Sequence, residues 1–339
     1  MASPGRPTPG PWPGVRETRL ITSCVAPFLG RVAPFLGCVA LLLGCSASEA
    51  PKVAPPPAIV FDWLRNGNRD IYRASLDGKD TVRLTSDPGD DQHPTERAGT
   101  VVFTSYRDGN GELYAVPSSG GAERRITTSA ANETQPALSP DGQHIAYLND
   151  ESGVPKLWLC AADGTNPQPL TTGFGFPGSI EASPSWAPSG DRLVFVSTAN
   201  GHAGLFITTL GAGAPTPLVA DSSTAVEPAW SADATLVVFA STRAGGGATN
   251  IYTVNVASHE IRQQTYGSVT DGQPAGLPDG RIVYVSWVGG TPELRWLDPA
   301  TQAVVQVSPG PGAAQHPASI YQTTTEDRSH ARRDDLHHS

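Results

Sequence analysis

The sequence predicts an all-β fold, a six-bladed β-propeller with four-stranded antiparallel blades, and three observations carry that prediction. An apolar strand with a central aromatic recurs six times. The copies follow one another at intervals of 42 to 48 residues. The piece missing from the first copy turns up after the last one.

The recurring strand reads IVFDW at Phe61, VVFTS at Phe103, IAYLN at Tyr147, LVFVS at Phe195, VVFAS at Phe239 and IVYVS at Tyr284. About ten residues further on a second strand carries Tyr72, Tyr114, Trp158, Phe206, Tyr252 and, against the pattern, Arg295. A third mark follows as Leu84-Thr85, Ile126-Thr127, Leu170-Thr171, Leu218-Val219, Gln264-Thr265 and Val307-Ser308. A proline then leads the next unit, at Pro94, Pro136, Pro184, Pro228, Pro274 and Pro317. A period of this length, with about four strands per unit and no helical spacing, is that of a propeller. The near-continuous apolar runs suit strands close to the axis, which neighbouring blades cover on both faces. Their central aromatics are expected to fill the gap between blades.

The first copy begins at IVFDW without a proline-led strand, whereas the last is followed by an extra one, Gln315 to Ile320. The C-terminal strand is therefore expected to complete the first blade, which closes the ring and removes open sheet edges. Turn chemistry agrees. Ser139-Pro140-Asp141-Gly142, Leu277-Pro278-Asp279-Gly280 and the variant Ala187-Pro188-Ser189-Gly190 place Pro where φ is near −65° and Gly where φ is positive. Ser231-Ala232-Asp233-Ala234 has lost both residues, which predicts a looser turn in the fifth blade.

Composition is consistent with many short strands and many turns, with 36 Gly, 32 Pro and 38% apolar residues. The net charge is −9, and residues 1–44 carry four Arg against one Glu, so the rest of the chain stands at −12. That balance argues against nucleic acid, whose binder needs a basic stripe that the sequence does not show, and favours a basic or cation-bearing partner.

Residues 1–44 read as a lipoprotein-type signal peptide, with Arg16, Arg19 and Arg31 ahead of an apolar run from Val32 to Gly44. That run is shorter than the ~20 residues a stable membrane span needs. Leu42-Leu43-Gly44-Cys45 resembles the lipobox of bacterial lipoproteins, which makes Cys45 the expected site of lipidation. An ordinary secretory signal cleaved near Ser46 to Ala50 is the alternative. Residues 45–57 then form a Pro/Ala-rich tether, 58–320 the propeller and 321–339 a disordered polar tail. Only Cys160 remains besides the anchor, so no internal disulfide is available, and its strand KLWLC predicts a buried, inert thiol.

The assembled unit has a proline-led strand, an SPDG-type turn, an IAF-like strand, a loop such as Ser105-Tyr106-Arg107-Asp108-Gly109, an aromatic strand and a closing LT. It resembles the TolB-like propeller repeat over about residues 58–320. The resemblance implies a protein-binding role in the cell envelope, since the six-bladed members include a periplasmic protein whose propeller binds a peptidoglycan-associated lipoprotein. The residues ahead of the propeller leave room for a tether and not for the α/β domain of that protein. The expectation is thus a stand-alone relative held to a membrane, the outer one by preference, through its lipid. Similar repeats accompany a hydrolase domain in prolyl oligopeptidases, which the remaining residues cannot hold.

In a four-stranded meander the segment entering the innermost strand and the loop between the second and third strands emerge on one face, and the SPDG-type turns on the other. The entering segments supply Asp91, Glu133, Glu181, Glu227 and Asp271, and the neighbouring loops Arg65, Arg107 and Arg243, some of them placed to pair with the acids. His93, Gln135, Gln273 and His316 precede the prolines. Together these residues are expected to rim the channel mouth as a partner-binding surface. His93 and His316 share one place in the repeat on adjacent blades, and with Asp91 they make a conceivable metal set, although convergence of the side chains does not follow from ring position. No Gly-x-Ser-x-Gly elbow or phosphate-cradling glycine loop occurs. The expectation is a monomeric binding module with a protein partner, no catalytic residues, no cofactor and no metal. The alternative is a channel enzyme acting on a saccharide or peptide, with a metal at His93 and His316.

Overall fold

The computed structural model of the chain describes residues 57–307, 310 and 312–320. The signal peptide with Cys45, the tether and the polar tail expected from the sequence lie outside the described residues.

Short apolar runs bounded by turn residues fold into 24 strands in six four-stranded antiparallel sheets, with no helix among the described residues. Blade 1 holds β1 (Ala58–Arg65), β2 (Asn68–Ser75) and β3 (Val82–Arg83). Blade 2 holds β4 (Asp91–Arg97), β5 (Thr100–Ser105), β6 (Glu112–Pro117) and β7 (Arg124–Arg125). Blade 3 holds β8 (Glu133–Leu138), β9 (His144–Asn149), β10 (Lys156–Ala161) and β11 (Gln168–Pro169). Blade 4 holds β12 (Glu181–Trp186), β13 (Arg192–Ser197), β14 (Gly204–Thr209) and β15 (Thr216–Val219). Blade 5 holds β16 (Ala225–Trp230), β17 (Leu236–Ser241), β18 (Asn250–Asn255) and β19 (Ile261–Gln263). Blade 6 holds β20 (Asp271–Gly276), β21 (Ile282–Val288), β22 (Thr291–Leu297) and β23 (Val304–Gln306).

The last strand, β24 (Ala313–Ser319), pairs antiparallel with β1 as the fourth strand of blade 1, matching Ile59 with Ser319 and Trp63 with Ala314. The ring is closed as the sequence predicts. The innermost strands β4, β8, β12, β16, β20 and β24 pack against one another in that cyclic order around the axis. The apolar aromatic strands are second from the axis, and the proline-led strands are innermost. The second strand is the one sandwiched between blades over its whole length, which is why it tolerates no polar alternation.

The two aromatic marks of the repeat are cross-strand partners: Phe61 faces Tyr72, Phe103 Tyr114, Tyr147 Trp158, Phe195 Phe206 and Phe239 Tyr252, while Tyr284 faces Arg295. Ring centroids of such pairs lie 5.8 to 6.2 Å apart where both rings are Phe or Tyr, within the range in which aromatic pairs add to area burial. Cys160 is buried as expected, and burial pushes its thiol up to about 12. The fifth-blade turn keeps the same form and has the longest closing bond of the four. Ala234 adopts a φ of 59° and donates to Ser231 O at 3.1 Å, against 2.9 Å for Gly142 to Ser139 O. Asp233 holds that conformation by accepting from the Ser231 hydroxyl and from Thr235.

Candidate functional site

Every innermost strand slips register against its neighbour at the same place, between Gln92 and Thr95, Thr134 and Ala137, Ala182 and Ser185, Val226 and Ala229, and Gly272 and Ala275, with β24 slipping opposite Val60 and Asp62. Such a bulge leaves a residue unpaired and re-aims its side chain. Proline suits the position because no ladder bond needs its missing N–H. The residue before each proline, namely His93, Gln135, Ser183, Glu227, Gln273 and His316, has a φ between 47° and 53°. A left-handed non-glycine residue costs about 1–3 kcal/mol, so six at one level of the ring are held there by the surrounding structure. All six, with the six prolines after them, line a central cavity of about 230 Å³. Its remaining wall comes from residues further along the inner strands, such as Thr95, Arg97, Trp186, Trp230 and Ser319. The cavity thus runs from the bulge ring toward the face of the SPDG-type turns.

Hydrogen bonds link the ring from blade to blade. Gln135 Oε1 accepts from Ser183 N at 2.7 Å, Glu227 Oε2 from Gln273 N at 2.7 Å, and Gln273 Oε1 from His316 N at 2.9 Å. At the seam between β24 and β4, the imidazoles of His93 and His316 stack with centroids 3.9 Å apart. The two histidines do converge. Their third partner is Asp62, whose Oδ1 lies 2.5 Å from His316 Nδ1 and accepts from His93 N at 3.4 Å, while Oδ2 pairs with Arg69. Sequence reasoning missed Asp62. The available signal was that Asp62 stands where the other five apolar strands carry Thr104, Leu148, Val196, Ala240 and Val285.

Burial opposes the charge on Asp62, but the facing imidazole and the Arg69 guanidinium outweigh it, and its carboxyl stays below the usual range. Burial and, after it, the neighbouring His316 bring His93 down to about 3, and its Nδ1 has no hydrogen-bond partner. The unfolded chain takes a proton at His93 below pH ~6.5 that the folded chain refuses. Stability therefore falls as pH drops from ~6.5 toward 3, by about 2–3 kcal/mol between pH 7 and pH 4.5. His93→Gln, which copies the residue at Gln135, is expected to remove that share of the slope in urea titrations across this range; an unchanged slope would show that His93 does not titrate on unfolding.

The four acids three residues before the prolines are placed differently from expectation. Asp91, Glu133, Glu181 and Asp271 are 0 to 6% exposed and do not line the cavity. They clasp one blade to the preceding one, and the LT motif is the other half of the clasp. Thr171 donates to Glu181 at 2.6 Å, and Thr85 and Thr265 donate to Asp91 and Asp271. Glu112 takes the Thr127 hydroxyl, so Glu133 is held by Ser129 and Asn149 instead. The same threonines accept N–H bonds of the third strand, from Ile71, Leu113 and Ile251. Burial raises Asp91 to about 6 and Glu133 to about 7. Asp91 also faces Arg107 at 3.1 Å and not the histidines, so the three-residue metal set is not assembled. Among the described residues no group of three His, Cys, Asp or Glu is placed to hold a metal ion.

The entering face presents something the sequence reading did not weigh. The large apolar side chains most exposed among the described residues are Leu64, Val82, Tyr106, Phe176, Ile180, Tyr266, Val269, Val288, Val304 and Val305. Val82, Val304 and Val305 lie on outermost strands, and the other seven are all at the entering face, in segments before innermost strands or at the ends of second strands. Tyr266 is 72% exposed. Arg65 stands beside them with its guanidinium 4.3 Å from the Trp63 ring centre. Arg107 is committed to Asp91 and Glu123, and Arg243 to Asp221.

The family described as TolB beta propeller domain matches residues 45–177 and 174–318. A protein TolB homolog of Chlorobium luteolum is 32% identical over 161 residues, covering 47% of this chain and 35% of that protein. The chain thus spans about a third of that relative's length. TolB from Acinetobacter baumannii superposes with a TM-score of 0.69 at 18% identity, over 78% of this chain and 67% of that one. A puromycin-hydrolyzing peptidase of Mycobacterium tuberculosis gives 0.52 at 15% identity, over 70% of this chain and 41% of that chain. At such identities the structural likeness speaks for the fold alone.

Proposed function

We propose, given that this chain belongs to the TolB beta propeller domain family, that it is a binding module of the cell envelope that captures a protein partner on the entering face of its propeller. The observation that carries this reading is the collection of seven exposed large apolar side chains on one face, Tyr266 and Phe176 foremost. Large exposed apolar groups concentrated on one face mark interaction surfaces, and aromatic anchors dominate their energetics. Arg65 supplies a polar rim to that surface, with the ion-paired Arg107 and Arg243 beside it. The bulge-ring residues contribute to the channel beneath it, and the buried acids support the blades that carry it. Attachment through a lipid on Cys45, with residues 46–57 as tether, belongs to the same proposal.

A photoreactive residue at position 106, 176 or 266 is expected to give one discrete crosslinked protein adduct in intact envelopes. The same residue at 189 or 233, in the turns of the opposite face, gives none. Phe176→Lys combined with Tyr266→Lys should weaken capture by tenfold or more, since buried aromatic anchors are worth about 2 kcal/mol or more each, and should leave the melting temperature unchanged. Equal adducts from both faces would refute the assignment of the surface.

A further inference from the structure

The geometry points to a second site: the cavity beneath the bulge ring binds an alkylammonium group, such as an aliphatic amine or the tip of a lysine-like side chain, with Glu227 as its counter-ion. This inference does not rest on the entering face as the capture surface.

The cavity volume of about 230 Å³ is below the ~300–1,000 Å³ of pockets for drug-sized ligands, so it suits one slender stem. Six prolines, one from each blade, form an apolar sleeve around that stem. The bulge residues put polar groups at one end of this sleeve, while Thr95, Ser185, Ser319 and Arg97 line the wall beyond the prolines. A molecule whose stem lies within the proline sleeve and whose polar tip reaches the ring fits this arrangement, as a long cationic side chain does when it buries its methylenes and keeps its head solvated.

The sign of the tip follows from the groups at the ring. Glu227 lines the cavity, one of its oxygens accepts from Gln273 N, and among the described residues no Lys or Arg pairs with it. Partial burial pushes its carboxyl up, as expected for a carboxylate short of compensating charge. The guanidinium nearest the seam, Arg69, is already bound to Asp62. His93 is kept neutral by burial and leaves Nδ1 without a hydrogen-bond partner in the ring. An anionic tip would meet Glu227, and the imidazole that bears on Glu227 at that level, His316, is already paired with Asp62. Arg97 lies four residues further along β4 than His93, on the wall beyond the bulge ring. An ammonium finds the Glu227 carboxylate directly, in a site sheltered enough to strengthen the pair. The acidic balance of the chain, −9 overall, draws cations toward it.

Calorimetry and thermal melting of the full chain with pentylammonium chloride, pentanol and sodium pentanoate test the proposal. Expected are one-to-one binding of pentylammonium with a raised melting temperature, and binding of pentanol and pentanoate at least tenfold weaker. Glu227→Gln keeps an oxygen for Gln273 N and is expected to lower pentylammonium affinity about tenfold or more, the scale of a lost charge-assisted hydrogen bond. No binding of pentylammonium, equal binding of pentanol or pentanoate, or unchanged affinity in Glu227→Gln overturns it. The three-ligand comparison on the unmodified chain decides even if the variant fails to fold. Loss of crosslinking at positions 106, 176 and 266 would bear on the entering face and not on this site.

Discussion

Deleting Ala313–Ile320 abolishes cooperative folding of the propeller. The deletion removes the innermost strand of blade 1, which exposes the β1 edge and leaves Ile59, Val60 and Trp63 without their cover. It also opens both interfaces at the seam, because β24 packs against β20 on one side and β4 on the other. Net stabilities of folded domains are about 5–15 kcal/mol, and losing a strand with its two neighbouring interfaces exceeds that margin. Circular dichroism on heating should show no sharp transition, with aggregation through the open edge. Moving residues 313–320 ahead of Ala58 through a short glycine linker should restore the transition, since only the place of the chain break changes. A deletion variant that melts sharply within a few degrees of the intact chain would show that the ring stands without its seam.

Asp62→Ala is expected to cost about 3–5 kcal/mol in urea unfolding, the usual loss when one partner of a buried ion pair is removed and the other stays behind. Arg69 would lose its carboxylate, His316 its Nδ1 partner and His93 the acceptor of its N–H. Asp62→Asn should cost less, because it still offers an oxygen to two of these donors. The double variant Asp62→Val with Arg69→Met should recover much of the loss, since the equivalent place in blades 4 and 6 holds Val196 and Val285 in an apolar setting. A loss below about 1 kcal/mol for Asp62→Ala would mean the network contributes little. The direction with pH is fixed by the lowered carboxyl: this contribution is present above the unfolded pKa of ~3.9 and is lost as pH falls through the folded value.

The repeat marks illustrate how far sequence reasoning reaches. Phe61 and Tyr72, or Phe103 and Tyr114, are spaced by a hairpin, so their mutual contact follows from local chain geometry. The clasp between LT and the following acid was also legible, though it was misread as a surface feature. Four units carry both members, as Thr85 with Asp91, Thr127 with Glu133, Thr171 with Glu181 and Thr265 with Asp271. The mark Leu218-Val219 has lost both, with Val219 and Ala225 buried in their places, whereas the last mark keeps Ser308 while Ala314 stands at the acid's place. Where both members are replaced by apolar residues, no buried hydroxyl or carboxylate is left unsatisfied.

By itself the sequence determined the blade number, the hairpin pairings and the closure of the ring, because each depends on a pattern that repeats along the chain and on apolar periodicity. Tertiary structure alone decided which side chains face the axis. A bulge turns the residue before each proline inward while the acid two positions earlier turns into the seam between blades, and a shift of one residue in register reverses a side chain's direction. The meeting of Asp62 with His316, 254 residues apart, likewise exists only once the ring is shut.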